Sequence, residues 1–170
     1  MATLLYGGKS SRLYQSLVRE KRLALSVDAD HSLTSRDPSL FTLFAELLPG
    51  KEVADVEKAF NQEIERLQKE PVGKQEMEKA RNQLEASFIF AQDSLFYQAM
   101  LLARYEIVIG WETIDDYLPS IRKVSPEDIQ RVAKKYLTPD NRTVGILIPL
   151  PPKEGKSAPT GGPGKEDVVR

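Results

Sequence analysis

The strongest constraint on this fold is a helical periodicity that runs almost unbroken over residues 77–107. Met77, Ala80, Leu84, Phe88, Ala91, Leu95, Ala99 and Leu102 step by three or four. After Glu85 a second apolar row joins, made of Phe90, Phe96, Met100, Ala103 and Ile107. The stripe widens from one face to nearly all round, which predicts that the second half is more buried than the first. About 35 residues is long for a helix in a globular domain, so a bend is expected at Gln92-Asp93-Ser94. Gly110 ends the run.

Further helices flank this spine. Val53, Val56, Phe60, Ile64 and Leu67 mark an amphipathic helix over residues 51–70, stopped by Pro71 and Gly73. Residues 111–123 form a short helix with Ile114, Tyr117, Leu118 and Ile121 inward. Ser125-Pro126-Glu127-Asp128 starts another, with Ser as cap, Pro at the first helical position and acids in the first turn. Its buried stripe is Ile129, Val132, Ala133, Tyr136 and Leu137. Near the N-terminus Gly7-Gly8 closes one helical turn set, and Ser10 or Ser11 opens a helix with Leu13, Tyr14, Leu17 and Val18 inward.

Strands take the remaining patterned segments. Leu25, Val27, Ala29, His31 and Leu33 alternate with Ser26, Asp28, Asp30, Ser32 and Thr34, and residues 40–47 return after a turn at Ser35-Arg36-Asp37-Pro38. Thr143-Val144-Gly145-Ile146-Leu147-Ile148 is expected as a third strand. A hairpin plus a strand from far down the chain, with helices packed on them, makes an α+β fold with an antiparallel sheet. Residues 1–150 form this domain. From Pro149 to Gly164 five prolines and four glycines fall among 16 residues, so residues 151–170 are expected to be a flexible tail or linker.

Composition removes many activities. With 24 basic against 25 acidic residues, the chain lacks the charge of a nucleic-acid binder. It has no cysteine, hence no disulfide, thiolate zinc site or cysteine nucleophile. No apolar run approaches the roughly 18 residues of a membrane span, so a soluble chain, periplasmic or cytoplasmic, is expected. The single histidine, His31, is the only ordinary base for a serine nucleophile. Strand alternation sends it to the face opposite Asp28 and Asp30, so it is expected as a partly buried strand histidine and not a metal ligand. Gly7-Gly8-Lys9-Ser10-Ser11 contains Gly-Lys-Ser, but Thr3 stands where a phosphate loop needs glycine, and a helix end precedes it. Glu76/Lys79 and Glu78/Arg81/Glu85 are spaced as surface pairs along a helix.

One resemblance ties these segments together. Gly7-Gly8-Lys9-Ser10-Ser11-Arg12-Leu13-Tyr14-Gln15, followed by Leu17-Val18-Arg19-Glu20-Lys21-Arg22-Leu23-Ala24, resembles a stretch of the peptidase M16 family, the pitrilysin and mitochondrial-processing-peptidase group. Lys79-Ala80-Arg81-Asn82-Gln83-Leu84, Val124-Ser125-Pro126-Glu127-Asp128-Ile129 and Asp140-Asn141-Arg142-Thr143-Val144 are similar too. In that family two related α+β domains face each other around a peptide chamber, and one carries His-x-x-Glu-His with zinc. This chain, with one histidine, resembles the non-catalytic C-terminal domain.

The resemblance implies no cofactor in this chain, zinc in a catalytic partner half on the same or a separate polypeptide, and a peptide substrate. It also implies that Met1 falls inside a family helix, so that the N-terminal strands of the domain are lacking. The strand edges and apolar face left uncovered lead to the expectation that the isolated chain self-associates, most simply as a homodimer. Many members supply an arginine and, seven residues on, a tyrosine to the substrate. One register sets Val18 and Leu25 at those positions and the other sets Arg19 and Ser26, so Arg19 is the candidate substrate contact and the tyrosine is missing from both. The alternative function is a free-standing binding or scaffold module that kept the fold without proteolysis.

Overall fold

The computed structural model describes residues 1–149. The expected tail, residues 151–170, lies outside the described residues. Helix α1 (Ala2–Leu5) leads through Gly7-Gly8 to a π-helix (Tyr14–Glu20), then to strands β1 (Ala24–His31) and β2 (Phe41–Leu47). Helices α2 (Val53–Lys69), α3 (Lys74–Ala91), α4 (Leu95–Val108), α5 (Tyr117–Lys123) and α6 (Pro126–Tyr136) follow. Short 3-10 turns span Trp111–Ile114 and Pro139–Asn141. The fold is α+β.

The core gathers the first two helices, the inner face of β1, and α2, α3 and α6. Leu5, Leu13, Leu17 and Leu67 are fully buried in it, each contributing about 1.5–3 kcal/mol by leaving water. Ala59 of α2 and Ala133 of α6 are both buried, and small side chains there let the two helices approach closely. Gln68 fastens that approach by donating to the carbonyls of Ala133 (3.3 Å) and Leu137 (2.8 Å). Helix α6 starts as its sequence dictates. Ser125 Oγ accepts from Asp128 N at 3.2 Å, and Asp128 Oδ2 accepts from Ser125 N at 3.1 Å, a reciprocal cap with Pro126 at the first helical position.

Four expectations need correction. The periodicity of residues 77–107 does break at Gln92-Asp93-Ser94, where Ser94 caps α4 through Tyr97 N. The half beyond the break, however, is the more exposed one. Leu95 is 81% exposed, Phe96 74% and Ile107 78%, and Tyr105 is the one buried residue of α4. Apolar width records that a surface needs cover, not which element supplies it, and no other long element among the described residues lies over α4.

Residues 143–148 form no strand. A strand needs a neighbour to pair with, and the start of this segment is held on α2 instead, where Arg142 Nη2 meets Glu57 Oε1 at 2.8 Å and Nη1 donates to Asn61 Oδ1 at 3.0 Å. The antiparallel sheet among the described residues therefore has two strands, with Val27 opposite Ala45 and Ala29 opposite Leu43.

An irregularity between Ala24 and Ser26 changes the face of Leu25, which points outward while Ala24 is buried. His31, at the far end of β1, is exposed and not partly buried. The strand outlasts the core there, and the imidazole tilts against Phe41 with ring centroids 6.3 Å apart.

Candidate functional site

The Gly7–Arg12 turn is held by several side-chain contacts from its own residues and from α3. Gly7 has no room for a side chain: a Cβ would lie 2.5 Å from the Thr3 carbonyl and 2.8 Å from Gln83 Oε1. Gly8 has φ +115°, a conformation open to glycine and strained for other residues. Ser11 Oγ donates to the Gly8 carbonyl at 2.6 Å and tightens the turn. The preceding element is α1, a helix, so Gly-Lys-Ser here closes a helix and does not cradle a phosphate.

Helix α3 grips this turn with three side chains. Glu76 binds Arg12 through two parallel bonds, Nε–Oε1 at 2.6 Å and Nη2–Oε2 at 2.8 Å. Lys79 Nζ donates to Ser10 Oγ, and Gln83 Nε2 donates to the Gly7 carbonyl. Positions 76, 79 and 83 recur on one helix face, so the stripe acts as a clamp. Arg12 is nearly buried, and the hydrogen bond and charge of Glu76 raise its pKa further, outweighing the opposing effect of burial. The surface pairs expected along this helix are not made with each other. Arg81 instead donates to the Val124 carbonyl, and Glu85 accepts from Arg122.

The clamp fixes the start of the π-helix, an uncommon element that often marks functional segments. Its wider winding shows in the bond from Lys21 N to the Ser16 carbonyl at 3.0 Å. Arg22, with φ 50°, then turns the chain into β1. Arg19 sits in the last turn of the π-helix and is exposed, with no carboxylate in ion-pair range among the described residues. Val18 is half-buried against the core. Of the residues seven further on, Leu25 is exposed and Ser26 Oγ reaches Glu46 Oε2 at 3.3 Å.

His31 does not gather ligands. Its Nδ1 lies 3.3 Å from the Leu40 carbonyl and 3.4 Å from Ser39 Oγ. Asp28 Oδ1 accepts from Ala29 N at 2.8 Å. Among the described residues no three His, Cys, Asp or Glu side chains converge as metal ligands, so the residues present do not fit zinc. Open concave surface lies along helix faces, one of them lined by Gln75, Glu78, Lys79, Asn82 and Gln83. The prominent remaining feature is apolar: Ile89 and Phe90 of α3 with Leu95, Phe96, Met100 and Ile107 of α4 lie in solvent. Sequence reasoning missed the clamp, whose partners are far apart in the chain; the 76/79/83 spacing was its one local signal.

Comparison with known proteins adds a family to this geometry. Residues 1–84 match a family model described as the peptidase M16 inactive domain. The chain is 30% identical over 149 residues to the zinc protease PqqE of Helicobacter pylori, covering 88% of this chain and 33% of that protein. It is 33% identical over 156 residues to an uncharacterised zinc protease of Streptomyces coelicolor, covering 89% of this chain and 33% of the relative. The chain thus spans about a third of the length of these bacterial relatives. Among solved structures, the inactive peptidase domain of a Bordetella parapertussis protein assigned as a zinc protease superposes with a TM-score of 0.78 at 28% identity, covering 93% of this chain and 82% of that one. A protease from Helicobacter pylori gives 0.75 at 29% identity, over 81% of this chain and 33% of that one.

Proposed function

The chain belongs to the peptidase M16 family as an inactive domain, and on that premise we propose that it is the non-catalytic half of a two-part zinc peptidase. It packs against the half that carries His-x-x-Glu-His and helps to shape the chamber that holds the peptide. The observation that carries this reading is the set of exposed apolar side chains from Ile89 through α4, the kind of surface that marks an interaction site. A catalytic half covering that surface removes it from solvent and closes the chamber in one step. Zinc belongs to that partner half, where it would polarise the scissile carbonyl and activate water.

This chain's contribution is to bind and orient. Arg19 is offered to the substrate from the end of the π-helix, and its fork of donors suits a peptide carbonyl or a carboxylate. Arg19 acts from this side without the tyrosine expected seven residues on. The test is reconstitution with a His-x-x-Glu-His half encoded with or beside this chain. Peptide hydrolysis is expected only when both halves are present, with chelators abolishing it. Arg19→Ala should raise KM about tenfold, the loss of roughly one charged hydrogen bond, and leave the melting temperature unchanged. Hydrolysis by this chain alone, or a catalytic half whose rate ignores it, overturns the reading; the latter result favours a free-standing scaffold.

A further inference from the structure

The turn between the π-helix and β1 breaks a rule kept by the rest of the described chain. Wherever else φ is positive the residue is glycine: Gly8, Gly50 and Gly110. Here it is Arg22, at φ 50°. The conformation is imposed locally. Lys21 N donates to the Ser16 carbonyl at 3.0 Å, and Leu23 N donates to the Leu17 carbonyl at 2.8 Å. A helix that ends this way usually does so with glycine, which brings no Cβ into the left-handed region. An arginine there costs stability, and strain retained at one position is typical of functional sites. The helix end itself does not account for it. Cations are favoured at a helix C-terminus, but Arg19 and Lys21 already supply them.

We infer, on the premise that this chain is half of a zinc peptidase, that Arg22 is a specificity-determining residue that joins Arg19 in receiving a carboxylate of the peptide. Arg19 lies in the last turn of the π-helix and Arg22 follows three residues on. Both are exposed, and neither has a carboxylate in ion-pair range among the described residues. Lys21 adds a third positive charge. It donates to Gln62 Oε1 at 2.6 Å, a neutral acceptor that leaves the charge uncancelled. Glu20 is the only acid from residue 19 to residue 22. The second guanidinium changes what Arg19 selects. One fork serves a neutral carbonyl or a carboxylate, whereas clustered cations raise the local concentration of anions and bind them more strongly than neutral groups. An Asp or Glu side chain and the C-terminus of a peptide both present that carboxylate.

Hydrolysis by the full chain assembled with its His-x-x-Glu-His half tests this with two series of peptides. In the first, both ends are blocked and Glu replaces Gln at each position in turn, which reads a side-chain carboxylate. In the second, a neutral peptide ends in a free acid or an amide, which reads a terminal one. The carboxylate form should be preferred by about tenfold in kcat/KM in at least one series, the value of one charged hydrogen bond. Arg22→Gly should bring that ratio close to one, and Arg22→Lys, which keeps the charge, should retain most of it. The melting temperature of Arg22→Gly should equal or exceed that of the parent, because glycine relieves the strain. Ratios near one for the parent in both series overturn the inference. So does a preference that Arg22→Gly leaves intact, since another residue then sets it. Hydrolysis in either case leaves the two-half reading standing, whereas an assembled pair that cleaves no peptide overturns both.

Discussion

The first 84 residues and helix α4 are equally apolar in places and have opposite fates. Leu5, Leu13 and Leu17 are sealed in the core, while Leu95 and Phe96 stand in water. The difference lies in partners and not in hydrophobicity. Residues near the N-terminus meet α2, α3 and β1 from several sides, and the clamp of Glu76, Lys79 and Gln83 holds their turn in place. Helix α4 is met chiefly by the 3-10 turn that follows it. The first region finds its partners among the described residues, α6 included, and α4 does not. The stretch matched by the family model, residues 1–84, is largely the first.

Substitution separates the two regions most sharply. Leu17→Ala should destabilise the isolated chain by about 2–5 kcal/mol in a denaturant titration, as large-to-small changes in a closed core do. Leu95→Ala should stay within about 0.5 kcal/mol, because that side chain is already in solvent. Equal losses at both positions would erase the contrast. The turn comes next. Gly7→Ala should cost about 1–3 kcal/mol, since the new methyl meets the Thr3 backbone and the chain must shift. Arg12→Gln should cost about 1–3 kcal/mol by stripping Glu76 of its two bonds. The double change Arg12→Gln with Glu76→Gln should recover part of that loss if the pair is what matters.

The cap of α6 gives the smallest effects. Ser125→Ala should lower stability by about 1 kcal/mol, the usual value of an N-cap. Asp128 is held below the usual carboxylate range first by Arg131, at 2.9 Å, and then by its bonds with Ser125. Its folded pKa lies under its unfolded one, so its contribution is present above the ordinary value of 3.8. That contribution fades as pH falls through the folded value. Thermal melts of the parent should therefore drop more steeply than those of Asp128→Asn on acidification below about pH 4. Parallel curves would remove Asp128 from the account.

Local features were legible in the sequence and distant ones were not. Helix α2 ends where Pro71 and Gly73 demand, α6 starts at Ser125-Pro126, and the spine breaks at Gln92-Asp93-Ser94, because caps, breakers and periodicity act within a turn or two. The family stretch at Gly7–Tyr14 was visible as a pattern, but not its physical reason. Arg12 and Glu76 are 64 residues apart, and Gly7 and Gln83 are 76 apart. The irregularity beside Leu25 was hidden because a register change of one residue leaves no mark in an alternating pattern. The exposure of α4 is hidden for a related reason, since an all-round apolar helix looks the same whether its cover lies in the chain or outside it.

Hydrogen exchange on this chain, alone and with the His-x-x-Glu-His half, tests most directly whether α4 is made to be covered by that partner. The account predicts slower exchange over residues 89–108 in the complex, with α1, the π-helix, α2 and α6 unchanged. Exchange in residues 89–108 that is the same with and without the catalytic half, while the two proteins are bound, would contradict it.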